Sequence, residues 1–499
     1  MRINSGQFYV LLILLMLVCT ETVASGSWLE KITTGYKEVE TRIIDGYSKD
    51  EQPQQLVAAK PLPTSSPNDW YYSYFNEPVF NSQIVVLEAG SKHKETIMLV
   101  HGLGELGMKD WFDVIPLLTT DYNVLAIDLP GFGLSGVPKG RYSPTHYAEV
   151  LEAVLNEYVD KPITLIGHSM GGAVSLRFSS IYPERVKQLI LVDAAGILEK
   201  TAFVKHLSSV PSNESVVPDV FQKTLAQVND FGSSLIELGT LNDPASDFLQ
   251  SSDTTWNLLL SNSPNMNAAL SLVEENFNLA VRELEVKTTV IWGENDRVAP
   301  LRTAKVLSAN IDGATLAVIE GAAHVPMKTH TLEFINTVKQ AINSNVPIVT
   351  NYEFELTQGD LVCNGKSNVT YSGKYDAIVL NQCTNIKLQT ITAKSLEVND
   401  SLVEAENLTL MGPNIALKAK ESVLRITNGT IKGNKAILLS GSRLDLAGVD
   451  ISGDDYAIYS DKHSQVVLSI CKSGSELYTG LAHGVYEVTE TTLDGLLSL

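Results

Sequence analysis

The stretch Ile163-Thr164-Leu165-Ile166-Gly167-His168-Ser169-Met170-Gly171-Gly172 decides how this chain is read. Ile163–Ile166 is a mostly apolar run of strand length, and the residues that follow, Ala173–Ser180, have helical spacing. Between them lies Gly-x-Ser-x-Gly. A strand that turns sharply into a helix leaves no room for side chains on either side of the turn, which explains Gly167 and Gly171. The same turn lifts the Ser169 hydroxyl to the sheet's edge. A serine hydroxyl attacks poorly unless a base removes its proton, so the rest of the chain is searched for that base and its support.

His324, in Gly321-Ala322-Ala323-His324-Val325-Pro326, follows the apolar run Leu316–Ile319 and is the candidate base. Asp296, in Gly293-Glu294-Asn295-Asp296, follows Thr289–Ile291 and is the candidate acid that orients the histidine. Asp193, one strand earlier, is the rival acid. His101-Gly102-Leu103-Gly104 follows the strand ending at Val100, and the backbone N–H groups of Leu103 and Met170 are the candidate oxyanion donors. His168 and His101 read as structural residues that hold loops.

Working outward, apolar runs at Ile84–Leu87, Thr96–Val100, Val124–Ile127, Leu189–Val192, Thr289–Ile291 and Leu316–Ile319 alternate with helical stretches. That alternation predicts a mostly parallel sheet with helices on both faces over residues 70–345. The rhythm breaks between Val192 and Thr289. Residues 197–285 are instead read as a helical cap, in which Trp256 and Leu259 are candidate substrate-binding residues.

Residues 84–342 resemble the α/β-hydrolase superfamily, in the branch with a cap between the sixth and seventh core strands. The motifs that carry the resemblance are Val100-His101-Gly102, Asp128-Leu129-Pro130-Gly131-Phe132-Gly133-Leu134-Ser135, Gly167–Gly172, Gly293–Asp296 and Ala323-His324. The resemblance implies Ser169 as nucleophile, Asp296 as acid and His324 as base, in the chain order Ser, Asp, His. It also implies an esterase or lipase, a C–C bond hydrolase or an acyltransferase. Epoxide hydrolases and haloalkane dehalogenases of this branch carry Asp at the position of Ser169.

After Asn343-Ser344-Asn345-Val346-Pro347 the pattern changes to strand-like alternation with a repeat. Ala416-Leu417, Ala436-Ile437 and Ala457-Ile458 recur every 20 or 21 residues, and Ser401, Ser422, Ser442 and Ser464 every 20 to 22. A unit this short cannot bury its own apolar face, so neighbours must stack. Residues 350–480 are therefore read as an all-β parallel solenoid, resembling a right-handed parallel β-helix, with 481–499 as a tail. Cys363 and Cys383 lie one repeat apart, close enough to bridge if their coils are neighbours.

Met1-Arg2 precedes eleven unbroken apolar residues, Phe8–Val18, and then Thr22-Val23-Ala24. Eleven residues are too few to span a bilayer, which takes about 20, and fit a secretory signal cleaved after Ala24. Residues 1–24 are read as that signal, with Cys19 as a conceivable lipidation point, and 25–69 as a lead and linker. Export would place the protein in the periplasm, at the outer membrane or outside the cell.

Among 499 residues, 37 Lys+Arg against 57 Asp+Glu give a formal charge of −20. A balance this acidic lacks the basic footprint of a nucleic-acid binder. No CxxC or His/Cys cluster suggests a metal, and no cofactor is expected. The expected partner is a small-molecule or lipid ester. The alternative is a binding protein in which the repeats contact a surface polymer or glycan. Asn213, Asn368, Asn399, Asn407 and Asn428 begin N-x-[ST] triplets.

Overall fold

A computed structural model describes residues 55–67, 69–90, 93–199, 253–260, 262–343 and 359–498. The expected signal 1–24, most of the lead and most of the cap lie outside these residues.

The predicted strands assemble into one eight-stranded sheet. In chain order they are β1 (Trp70–Glu77), β2 (Ser82–Ala89), β3 (Thr96–Val100), β4 (Asn123–Asp128), β5 (Ile163–His168), β6 (Val186–Val192), β7 (Thr288–Gly293) and β8 (Thr315–Ile319). Their order across the sheet is β1-β2-β4-β3-β5-β6-β7-β8. β1 pairs antiparallel with β2, and β2 antiparallel with β4, whereas every pair from β4 and β3 across to β8 is parallel. Strand order reverses around β3, so the C-terminal ends of β3 and β5 face a crevice, the usual place for a site in such sheets. β5 is buried at all six positions, as a strand covered on both faces must be. β1 escaped the sequence reading. Its run Trp-Tyr-Tyr-Ser-Tyr-Phe alternates as a half-exposed edge strand rather than forming a continuous apolar block.

Part of the expected linker belongs to this sheet. Val57 N–H donates to Asn81 O at 3.1 Å, its carbonyl accepts Gln83 N–H at 2.8 Å, and Lys60 N–H donates to Leu134 O at 2.8 Å.

The C-terminal region is a twelve-stranded, mostly parallel sheet. The strands are β9 (Leu361–Asn364), β10 (Thr370–Lys374), β11 (Ala377–Asn381), β12 (Ile386–Ala393), β13 (Ser395–Asn399), β14 (Leu402–Met411), β15 (Ile415–Lys420), β16 (Val423–Ser440), β17 (Arg443–Ser460), β18 (Ser464–Gly474), β19 (Thr479–Val488) and β20 (Thr491–Thr492). One parallel ladder aligns Leu361, Ile378, Leu396, Leu417, Ile437 and Ile458. A second aligns Tyr371, Leu388, Ala405, Ile426, Leu446 and Leu468. Successive partners are 17 or 18 residues apart in the early strands and 20 to 22 in the later ones, from 378 − 361 = 17 to 468 − 446 = 22. The apolar columns are buried in a core of their own.

The serine column has a physical reason. Ser401, Ser422 and Ser442 N–H donate to Ser422, Ser442 and Ser464 Oγ at 3.0, 3.1 and 3.0 Å, and Cys383 N–H donates to Ser401 Oγ at 2.8 Å. Each hydroxyl thus satisfies a backbone donor that the corner would otherwise bury unpaired. Cys383, whose N–H opens this column, is disulfide-bonded to Cys363 of β9.

Residues Leu56–Leu499 form one compact unit, so the two sheets pack as one body. The helix Leu301–Asn310, between β7 and β8, presents Arg302 to Asp445 through two hydrogen bonds of 3.0 and 2.9 Å, and to Thr427 Oγ1 at 2.9 Å. Arg282 donates to Ile470 O at 2.7 Å, and Asn278 to Ala482 O at 3.0 Å. Ala447 and Ile470 of the C-terminal sheet are buried within the first sheet's core. Asn428, one of the N-x-[ST] asparagines, is buried in this contact, donating to Lys305 O at 2.9 Å and accepting from Asn310 Nδ2 at 3.0 Å.

Candidate active site

The turn between β5 and the helix Met170–Ile181 holds Ser169 at φ 53°, ψ −121°, a conformation that costs a non-glycine residue strain. Its neighbours make the turn possible. A Cβ at Gly167 would collide with Gly171 O, and one at Gly171 with the carbonyls of Val100 and His101. Ser169 N–H donates to Val192 O at 3.0 Å, and its carbonyl accepts Gly172 N–H at 2.9 Å. The strained residue is thereby tied to β6 and to its own helix.

His324 and Asp296 reach the same place from the ends of β8 and β7. His324 Nε2 lies 3.0 Å from Ser169 Oγ, and Nδ1 lies 2.8 Å from Asp296 Oδ2. Asp296 Oδ1 accepts N–H bonds from Val298 at 2.7 Å and Ala299 at 3.0 Å. Burial alone would raise the Asp296 pKa. The His324 ring, by charge and hydrogen bond, and the Val298 N–H outweigh burial and hold it below the ordinary carboxylate range. All three residues are at least nine-tenths buried.

The loop before them is held by residues the sequence marked as structural. His101 Nδ1–H donates to Gly102 O at 2.7 Å and its Nε2 accepts Leu129 N–H at 3.0 Å, so neither nitrogen is free for proton transfer. Gly102 packs so close to Ser169 that a Cβ there would come within 2.9 Å of the serine Cβ. That contact sets Leu103, the next residue, beside the nucleophile turn. Met170 opens its helix, so its N–H has no intrahelical acceptor. His168 Nε2 bonds His324 O at 2.7 Å, and burial pushes its pKa down to about 4. It is a neutral ring that ties the nucleophile's strand to the base's loop.

Three further supports hold these loops; Asp128 opens one of the quoted motifs, whereas Asn265 and Asn267 carry no sequence signal. Asp128 Oδ1 and Oδ2 accept from Met108 N–H at 2.6 Å and Leu134 N–H at 2.8 Å, fixing the loop after β4. Asn265 Oδ1 accepts Gly104 N–H at 3.1 Å, so the helix Pro264–Val273 touches the loop after β3. Asn267 gathers Trp256 Nε1 at 2.9 Å, Tyr142 N–H at 3.1 Å and Gly140 O at 2.8 Å.

Trp256 is buried with Leu260, bonded to Asn267, with the Arg141 guanidinium 4.7 Å above its ring. These contacts fasten the helix Asp253–Leu260 to the body. Leu259 lies on that helix, with its side chain outside the described residues. Among the described residues, the one acidic and histidine cluster of metal-site size is Asp193, Asp296 and His324. The Asp296 oxygens and His324 Nδ1 already engage one another and N–H groups, an arrangement for moving protons rather than for coordinating a cation.

Comparison with known proteins bears on the family of this region. Residues 95–331 match the model of the alpha/beta hydrolase fold. The 2-hydroxy-6-oxo-2,4-heptadienoate hydrolase of Pseudomonas putida is 30% identical over 240 residues, 46% of this chain and 82% of that protein. The chain belongs to the α/β hydrolase family. Another similar hydrolase is the 2-hydroxy-6-oxononadienedioate/2-hydroxy-6-oxononatrienedioate hydrolase of Escherichia coli, 27% identical over 48% of this chain and 84% of that one. A solved esterase from Exiguobacterium antarcticum is 21% identical with a TM-score of 0.42, covering 55% of this α/β hydrolase and 99% of that chain.

Proposed function

We propose that this α/β hydrolase is an exported serine hydrolase that cleaves carboxylic esters. The observation that carries the reading is the continuous line Ser169 Oγ, His324 Nε2, His324 Nδ1, Asp296 Oδ2, with steps of 3.0 and 2.8 Å, at the C-terminal edge of the sheet. His324 takes the Ser169 proton as Oγ attacks the ester carbonyl. The N–H groups of Leu103 and Met170 receive the oxyanion. The imidazolium, balanced by Asp296, gives its proton to the departing alcohol, which leaves the acyl group on Ser169. Water then attacks the acyl-enzyme, His324 again taking the proton.

A fluorophosphonate probe tests the reading. Wild type should be labelled and Ser169→Ala should not. Equal labelling of both removes Ser169 as the nucleophile.

Export is supported by the apolar run Phe8–Val18 and by the Cys363–Cys383 disulfide, which suits an oxidising compartment. The substrate's apolar group would be received by the cap, with Trp256 and Leu259 as candidates. The in-register parallel pairing of strands 17 to 22 residues apart supports reading the C-terminal sheet as solenoid coils. The faces not packed on the first sheet would be the ones open to a surface polymer or glycan.

A second reading is favoured by the Pseudomonas putida and Escherichia coli relatives, whose names specify hydrolases of 2-hydroxy-6-oxo dienoates. The same serine, histidine and aspartate could serve C–C bond cleavage, or acyl transfer to an acceptor other than water. Turnover of p-nitrophenyl esters of rising chain length, set beside 2-hydroxy-6-oxo-2,4-heptadienoate, separates the first two readings. Product analysis with an added alcohol separates the third.

A further inference from the structure

Asp193 follows β6 at φ 44°, a left-handed conformation unusual for aspartate, and it is fully buried. Its own N–H donates to Ile291 O at 3.1 Å, and its Oδ1 accepts Gly293 N–H at 2.8 Å. Its Oδ2 is enclosed and receives no donor. One oxygen of Asp193, one of Asp296 and a ring nitrogen of His324 lie within 4.8 Å of one another. These two groups are the titratable neighbours that face it.

Two buried carboxylates this close cannot both stay ionised beside one imidazole. The N–H bonds decide which holds the proton. Asp296 takes two from the backbone and one from the His324 ring, whereas Asp193 takes one. We infer that Asp193 is a neutral carboxylic acid whose Oδ2–H donates to the Asp296 carboxylate, making it a positioning residue for the Ser169–His324–Asp296 array. The proton resolves the orphaned oxygen, braces Asp296 with a bond beyond the one from His324, and keeps the charge next to the imidazole at one. Burial first, and then the Asp296 charge, push the Asp193 carboxyl well above its ordinary range, which agrees with this assignment. The rival acid of the sequence reading is thus given a different task.

The inference rests on the serine-hydrolase reading, and its test separates the two. Full-length wild type, Asp193→Asn and Asp193→Leu are compared for fluorophosphonate labelling, for kcat and KM on a p-nitrophenyl ester, and for kcat/KM against pH. Asn replaces one neutral donor by another. It should keep kcat within about threefold and leave the acid limb of the pH profile in place. Leu should lower kcat by about tenfold or more at unchanged KM, because Asp296 and His324 lose their brace. Infrared difference spectra should show a protonated-carboxyl band at neutral pH that Asp193→Asn lacks.

An acid limb displaced by about one unit toward low pH in Asp193→Asn would mean that a charge was removed, and the inference fails. Leu turning over like wild type also overturns it. If Leu does not fold, the Asn profile and the infrared band decide. Wild type that is never labelled sinks the triad reading itself.

Discussion

The two sheets of this molecule solve the problem of specifying a fold in opposite ways. The first sheet concentrates its information. Ser169 is strained at φ 53°, and Gly167, Gly171 and Val192 exist in their positions to make that strain tolerable. The C-terminal sheet spreads its information. Ser401, Ser422, Ser442 and Ser464 each repeat one small task, capping an N–H of the repeat before. In the first region one substitution should end function while leaving the fold. In the second, each should subtract stability and leave the chemistry alone.

The largest expected effect is Ser169→Ala, which should reduce ester turnover by at least about 10⁴-fold. The melting temperature should stay at the wild-type value. Activity that survives the substitution breaks the comparison at its strongest point.

Next comes the joint between the sheets. Arg302 and Asp445 have side chains 14% and 12% exposed, and removing Arg302 leaves the buried Asp445 only the longer contact to Arg425 at 3.7 Å. Arg302→Ala should cost about 3 kcal/mol or more, read by denaturant unfolding of the full-length protein. Two separate unfolding transitions in the variant would show that the joint couples the sheets. An unchanged curve would show that the contact carries no stability.

The same contrast explains what could be read beforehand. Ser169, Asp296 and His324 were legible because each chemical role demands a residue type at the end of a strand, and the strands announce themselves as apolar runs. The serine and aliphatic columns were legible through their period. Asn265 and Asn267 were not, because an amide that grips a loop 161 or 125 residues away leaves no local pattern. β1 was missed because an edge strand rich in tyrosine carries no continuous apolar run. The early strands, whose partners lie 17 or 18 residues apart, also depart from the period that revealed the later ones.

A smaller effect tests the serine column. Ser442→Ala would leave the buried Ser422 N–H without its acceptor, 3.1 Å away in the wild type. An orphaned buried donor costs about 1–3 kcal/mol. Chemical denaturation should register that loss, with kcat unchanged. A fall in kcat would instead mean that the coils transmit to the site, and the division of labour between the sheets would fail.

The smallest effect is expected on the exposed face of the C-terminal sheet. Lys418 and Glu397 sit on adjacent strands 3.2 Å apart, with side chains 46% and 39% exposed. Water and salt screen such a pair, so Lys418→Ala should cost no more than about 0.5 kcal/mol and less at high ionic strength. Inward columns do the stacking, which leaves outward residues free to vary without penalty. If Lys418→Ala destabilised the protein as much as Ser442→Ala, the outward face would itself be a packing surface, and the solvated-face reading of the repeats would be wrong.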